Sequence, residues 1–485
     1  MRAVATFDIG TTAVKGVLVD EESGVLFEES REVETLFTTT GQEQRPEEWW
    51  NAFCSLTQGM ARTGAEICAI AMSGQMQDVI CVDRHLAPLR PAILYSDGRA
   101  QAQADRILES VGAERVAKIT GNPFDGSISL PKILWIKENE PDVYARTRAF
   151  LISSKDYVVA RLTERCIGDR TACSTAGCMN LSTGAWNEAL LSAAGVDKNK
   201  LPQLFNAHEA VGVVTKEAAK LAGCPAGIPV YAGAGDAGAT SLASGLTRPG
   251  QYNVNLGTSG WVATVSETPL MRTGVFNLAA MPEGLIINVV PFLNGANAHK
   301  FMATLFGEEG NPDYARVERL LETAEPGAHG VLALPYLVGE RFPVLDETAR
   351  AAFIGMTPNT TGADLAQAML ESVAFSIRQG LAQMAAPVEE LTLIGGGARV
   401  RPWRQILADA LQVNVTVFRD AQTLPARAIA AAAWIGEGKL RNYGAFVERL
   451  KRDGAETVAP RAVFKRLYDE RFERYLKLYP ALKGV

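Results

Sequence analysis

The stretch FDIGTTAVKGVLVD, residues 7–20, decides the reading of this chain. One acid, Asp8, ends an apolar run. Gly10, Thr11 and Thr12 follow, and a second apolar run carries Lys15. Two such runs around a glycine–hydroxyl tip predict a β-hairpin over residues 2–9 and 13–19. Gly10 can adopt dihedrals closed to other residues. Successive tip amides can converge on an anion, Thr11 and Thr12 add hydroxyl donors, and Lys15 adds charge. Asp8 is a poor phosphate neighbour unless a cation intervenes, which suggests Mg²⁺ held directly or through water. Taken alone, the same residues also read as an ordinary β-turn with an Asx cap and a solvated lysine.

The pattern returns in QYNVNLGTSGWVATV, residues 251–265, again strand, Gly257-Thr258-Ser259 tip, strand. The repeat reads as an internal duplication, and two tips can clamp one polyphosphate from both sides. It places a boundary near GLTRPGQ, residues 245–251, giving an N-terminal lobe of 1–247 and a C-terminal lobe of 248–485.

Around the tips, VLFEESREV predicts a third strand and RPEEWWNAFCSLTQGMARTG a helix with Pro46 at its start and Gly64 at its close. EICAIAMSG predicts a buried strand ending in Ser73 and Gly74. Helices are expected near 98–110, 131–146 and 154–163. GIPVYAGAGD reads as a strand and AGATSLASG as a small-residue helix. Residues 360–385 predict a long amphipathic helix with Leu365, Met369, Val373 and Ile377 on one face. ELTLIGGGARV is a strand running into three glycines, RPWRQILADALQV a helix, VTVF a strand, and LPARAIAAAAWIGEG an alanine-rich helix open to close approach by a helix or ligand.

A chain of 485 residues, 47% hydrophobic and 21% charged, fits a globular protein of two or three domains. The net charge of −6, without a Lys/Arg block, argues against nucleic-acid or anionic-membrane partners. Seven scattered cysteines without a CxxC pair fit reduced thiols acting as apolar fillers, and a cytoplasmic setting. The four histidines lack metal-ligand spacing, so a zinc site is not expected. The N-terminus opens into a strand with no signal-peptide pattern. No apolar run approaches the roughly 20 residues of a membrane helix.

LIGGGARV, residues 393–400, carries Gly395, Gly396 and Gly397, which let a flat ring approach the backbone; a loose strand–helix connection reads equally well. It is neither GxGxxG nor a P-loop. YAGAGDAGATS, residues 231–241, sets Asp236 among small neighbours where a strand meets a helix. A helix N-terminus favours its ionised form, and an ionised Asp with free space can take a proton from a substrate hydroxyl. A plain N-cap is the other reading.

These stretches in this order resemble the FGGY carbohydrate kinases over nearly the whole chain. The opening hairpin looks like the family's first phosphate motif, LGTSG its second and LIGGGARVRPW its adenosine motif; PYLVGERFP and GDRTACSTAG are similar to further signatures. Within the family the chain looks most like the xylulokinases, through EQRPEEWW, AMSGQMQD, RPAILYSDGR and GERFP. The resemblance implies an α/β fold of two actin-like (ribonuclease-H-like) lobes with an interlobe cleft, sugar mostly on the first lobe and ATP mostly on the second. It implies ATP and Mg²⁺ as cofactors. The phosphates and nucleotide would meet Gly10, Thr11, Thr12 and Lys15 from the first tip and Gly257, Thr258 and Ser259 from the second. Gly295, Gly396, Gly397, Ala398 and Arg401 would complete that site. Asp8 and Asp236 would stand at the metal. Met76, Gln77, Asp97 and Asp236 would face the sugar, with Asp236 as the base. The activity implied is phosphorylation of D-xylulose to xylulose 5-phosphate, or of another ketose, polyol or sugar acid. A small sugar or polyol is then the partner, and a homodimer is one expected assembly. Two departures concern the sugar: Gln77, followed by Asp78, stands where xylulokinases usually have His, and Ala237 where they usually have Asn or Gln. An actin- or Hsp70-like ATPase shares the clamp but needs no Asp236 in a sugar pocket. A non-catalytic sugar sensor would not need intact Asp8, Asp236 and Gly-Thr-Ser.

Overall fold

A computed structural model describes residues 1–38, 41–308, 310–384 and 386–484. The opening stretch forms β1 (Arg2–Ile9) and β2 (Ala13–Asp20), antiparallel, with Asp8 opposite Lys15 and Ile9 opposite Val14. β3 (Val25–Glu32) continues the meander. The first helix, α1 (Pro46–Ala61), starts on its proline, carries Glu47 and Glu48 in its first turn and buries Trp49, Phe53, Leu56 and Met60 against one face of the sheet. β4 (Glu66–Gly74) runs parallel to β1 and sets Ser73 beside Asp8.

The stretch 131–146 is divided: one helix ends at Asn139, and a second begins at Pro141 after Glu140 leaves helical geometry. The proline lacks the N–H that a continuous helix needs. Farther on lie α2 (Ser154–Thr163), β5 (Ala210–Val213), β6 (Pro229–Tyr231) and β7 (Ala234–Gly235). GIPVYAGAGD is therefore two short strands rather than one. Gly233 breaks it at φ +65°, where an added Cβ would lie 1.9 Å from the Met72 carbonyl oxygen. The first sheet has the order β5-β6-β4-β1-β2-β3, with β7 also along β4. α3 (Asp236–Ala243) leaves directly from β7.

The second half repeats this plan with β8 (Gln251–Leu256), β9 (Gly260–Ser266), β10 (Phe276–Ala279) and β11 (Ile286–Phe292), then α4 (Ala296–Leu305). α5 (Gly362–Ala382) opens on a Thr361–Asp364 capping box and carries the predicted apolar face; Ala385, the end of the predicted stretch, lies outside the described residues. β12 (Glu390–Ile394), α6 (Arg401–Leu411), β13 (Val415–Phe418), α7 (Leu424–Gly436) and β14 (Ala455–Val458) follow. The sheet order is β10-β11-β9-β8-β12-β13-β14. β8 pairs antiparallel with β9 and parallel with β12, as β1 does with β2 and β4. Asn255 thus occupies the place of Asp8, two residues before the tip glycine. The halves join where Ala428, Ala431 and Ala432 of α7 pack on Ala239 and Leu242 of α3 and on Val4, Ala69 and Ala71 of the first sheet.

Candidate active site

The two hairpin tips present their backbones in the same way. Thr12, Thr258 and Ser259 are exposed. Among the described residues, the amides of Thr11, Thr12, Thr258 and Ser259 donate to no backbone carbonyl. The carbonyls of the second tip are taken: Ala296 N donates to Gly257 O at 2.6 Å and Gly295 N to Thr258 O at 3.2 Å. Glu340, buried within PYLVGERFP, accepts Leu293 N at 2.6 Å and an Asn294 Nδ2 proton at 2.9 Å, which fixes the approach to Gly295. Neither Gly10 nor Gly257 adopts positive φ, contrary to the dihedral argument from sequence. Glycine fits because a Cβ would stand 3.1 Å from the Ala13 carbonyl oxygen at the first tip and 3.0 Å from that of Ser259 at the second. The Gly10 amide is itself spent on Ala13 O. Thr11 Oγ1 donates to Gln75 Oε1 at 2.9 Å, and Gln75 Nε2 to Gln44 Oε1 at 2.9 Å, which braces the tip from beneath.

Asp8 accepts the Ser73 hydroxyl at 2.8 Å, and burial pushes its pKa up against the opposing effects of Ser73 and Lys15. Asp236, the first residue of α3, is exposed to solvent although protein surrounds it on most sides. That surrounding and the nearby Asp8 push its pKa to about 7. The helix start therefore does not keep Asp236 strongly ionised; the amide of Ala237, 2.7 Å from Oδ1, opposes the shift without cancelling it. A buried group fixes its backbone. Asp169 Oδ1 accepts Gly235 N at 3.1 Å and Ala172 N at 2.9 Å, while Lys155, fully buried, reaches Asp169 Oδ2 at 2.9 Å. Among the described residues no group of three His, Cys, Asp or Glu is gathered for a metal. Two carboxylates suit a cation that draws the rest of its shell from water and phosphate oxygens.

Two cavities lie on neighbouring elements, neither of them lined by Asp8 or Asp236. A groove of about 530 Å³ is lined by Thr240 of α3, by Gly395, Gly396 and Ala398, and by Phe418 and Gln422 across from them. Gly395 has φ +89°, and its Cβ would meet Asn255 Oδ1 at 2.5 Å. A Cβ on Gly396 would meet nothing within 4 Å, so this backbone faces open groove. A second cavity, about 290 Å³, is lined by Met76, Gln77, Asn122, Asp125 and Thr175 of the first lobe and by Phe276–Leu278 of the second. Met76 packs so close to Gly235 that a Cβ there would lie 2.1 Å from its sulfur, which sets this cavity beside Asp236.

The FGGY family of carbohydrate kinases matches through its N-terminal domain over residues 3–243 and its C-terminal domain over 252–434. The chain belongs to the FGGY carbohydrate kinases. It is 30% identical to a xylulose kinase of Escherichia coli over 98% of both chains, and 32% identical to a xylulose kinase of Streptomyces rubiginosus over 90% of this chain and 88% of the other. The crystal structure of a xylulose kinase from Rhodospirillum rubrum superposes with a TM-score of 0.88 at 29% identity, covering 99% of each. The fold of this FGGY kinase is the two-lobed actin-like one, and its activity class is ATP-dependent phosphorylation of a carbohydrate.

Met76 and Gln77 line the cavity beside Asp236. Gln77 sits at φ +61°, its side chain 3.4 Å from Thr175 O and its carbonyl held by Lys132 Nζ at 3.2 Å. Asp97 does not offer the open carboxylate expected of it. It is fully buried, with both oxygens bonded to Arg99 and Oδ2 also accepting Gln42 N at 2.8 Å. Lys15 pairs with Glu28 at 2.7 Å and donates to Gln422 O at 3.0 Å, spanning the lobes. Gly397 lies behind the groove against Leu256 and Trp403, and Arg401 is an exposed first residue of α6, while Arg399 and Arg404 line the groove. Sequence reading missed Gln75, Lys132, Lys155 and Asp169. Lys132 and Asp169 hold backbone atoms of Gln77 and Gly235, while Gln75 braces the Thr11 side chain and Lys155 the Asp169 carboxylate, partners that come from distant segments.

Proposed function

We propose that this kinase transfers the γ-phosphoryl group of ATP to a hydroxyl of a small neutral sugar, with D-xylulose the leading acceptor and xylulose 5-phosphate its product. The observation that carries the reading is Asp236, exposed at the start of α3 directly after the Gly235 that packs on Met76 of the smaller cavity, with a pKa of about 7. The acceptor oxygen attacks the γ-phosphorus, the bond to the bridging oxygen of ADP breaks, and the hydroxyl proton passes to Asp236. Thr11, Thr12, Thr258 and Ser259 hold the phosphates. The groove at Gly395, Gly396 and Ala398 takes the adenosine. Mg²⁺, held by Asp8 and Asp236 directly or through water, supplies neutralisation of the phosphate charge when bound. Asp97, buried and bonded to Arg99 and Gln42, has no place at the acceptor in this reading.

The cavity supports a neutral acceptor over a sugar acid. Among the described residues Asp125 is the one charged side chain in its lining, so a second carboxylate would meet repulsion and no side-chain cation there. Likeness to proteins named xylulose kinase supports the ketose. The test is ATP consumption by the purified protein with and without ketoses, polyols and sugar acids. D-xylulose should give the highest kcat/KM and sugar acids none. ATP turnover that no sugar accelerates would replace the kinase reading by that of an actin- or Hsp70-like ATPase.

A further inference from the structure

β10 ends the second sheet, and among the described residues one of its edges has no neighbouring strand. An edge of that kind leaves backbone N–H and C=O groups in need of partners. Here side chains of the first lobe supply them. Asn122 Nδ2 donates to Asn277 O and Asn122 Oδ1 accepts Asn277 N–H, both at 2.7 Å. One asparagine side chain thus makes the two bonds that a paired strand would make. Ser174 Oγ accepts Ala279 N–H at 3.1 Å. In return, Asn277 Nδ2 donates to Gly121 O at 2.6 Å. Asn277 is fully buried, and its Oδ1 is anchored within its own lobe by Leu270 N at 2.8 Å and Asn288 Nδ2 at 2.9 Å. The strand held in this way, Phe276–Leu278, is the second lobe's share of the cavity that contains Gln77.

We infer that Asn122, with Ser174, is a positioning residue that latches the edge of β10 to the first lobe and so closes the acceptor cavity with a wall from the second. The inference rests on reading that cavity as the acceptor site. An acceptor seated there is gripped by both lobes only while these cross-lobe bonds are made. The nucleotide groove lies at β12 and β13, on the other side of the second sheet's order, and none of the latch bonds reaches it. Loss of the latch should therefore weaken the acceptor and spare ATP.

Two measurements on the full chain test this. Without ligands, the amides of Asn277 and Ala279 should exchange with solvent faster in Asn122→Ala than in wild type. In steady-state assays with D-xylulose and a panel of neutral ketoses, Asn122→Ala should raise the acceptor KM about tenfold, the worth of one or two neutral hydrogen bonds. Ser174→Ala should raise it less. The ATP KM and the ranking of sugars should stay as in wild type. Unchanged exchange, or an unchanged acceptor KM in an active enzyme, would overturn the latch. A reordered sugar ranking would also overturn it, by placing Asn122 in direct contact with the acceptor. If Asn122→Ala fails to fold, Ser174→Ala carries both measurements. Wild-type protein without sugar-dependent ATP consumption would remove the acceptor reading and this role together, whereas active wild type with unaffected variants would remove the role alone.

Discussion

Asp236 combines two properties that usually conflict, exposure to solvent and a carboxyl pushed up to about 7. Only its ionised form can take a proton, so kcat should fall as pH drops through about 7. Asp236→Asn keeps the volume and removes the base; turnover should fall by roughly 10²–10⁴ while both substrates still bind. Turnover within a few-fold of wild type would remove Asp236 from the role. Stability runs the other way. A carboxyl whose folded pKa lies above its unfolded value of about 3.9 stabilises the fold at low pH and loses that contribution as pH rises through about 7. The ligand-free asparagine variant should therefore melt above wild type at pH 8, with the gap closing near pH 4. Asp8→Ala should weaken Mg²⁺-dependent ATP use far more than acceptor binding, and a Mg²⁺ titration like that of wild type would contradict its place at the metal. Gln77, whose amide can both donate and accept, should set acceptor preference. Gln77→His is expected to reorder kcat/KM across five- and six-carbon sugars without abolishing transfer, and an unchanged order would exclude Gln77 from reading the sugar.

At the scale of elements, the three glycines after β12 have three different reasons to be glycine. Gly395 has a left-handed φ and touches Asn255; Gly396 faces empty groove; Gly397 is wedged against Leu256 Cβ at 2.7 Å for a built Cβ. Gly396→Ala should melt with wild type or slightly above it, since alanine restricts the unfolded chain, yet raise the KM for ATP. Gly397→Ala should destabilise by about 1–3 kcal/mol through overpacking. Thermal melts and ATP kinetics on the pair separate ligand space from packing space; equal melts for the two would refute the distinction. The hairpins show the same division. The tips were legible as glycine–hydroxyl turns, but the reason for glycine was not, because the obstruction at Gly10 is the Ala13 carbonyl three residues on, brought close only by the closed turn.

The whole molecule is bound together by α7, which belongs to the second half in sequence and packs on the first half's sheet and on α3. A fragment of residues 1–247 would expose Val4, Ala69, Ala71, Ala239 and Leu242, a contiguous apolar face. It should aggregate when expressed alone and stay soluble when co-expressed with 248–485; a monomeric, cooperatively melting fragment would contradict this. The duplicated tips, their strands and Asp236 could be read from sequence because each is a local pattern: alternating strand runs, a short tip, a carboxylate where a strand meets a helix. The break at Gly233 could not, since the obstructing atom is the carbonyl of Met72, far away in sequence. Nor could the burial of Asp97 beneath Arg99 and Gln42, the bracing of Gly235 by Asp169, or the wall that β10 lends to the cavity containing Gln77. Local patterns fix which segments become strands and tips, because backbone conformation and side-chain alternation act over a few residues. Which polar groups remain free for a substrate depends on partners from distant segments, and only the assembled fold brings those within hydrogen-bonding distance.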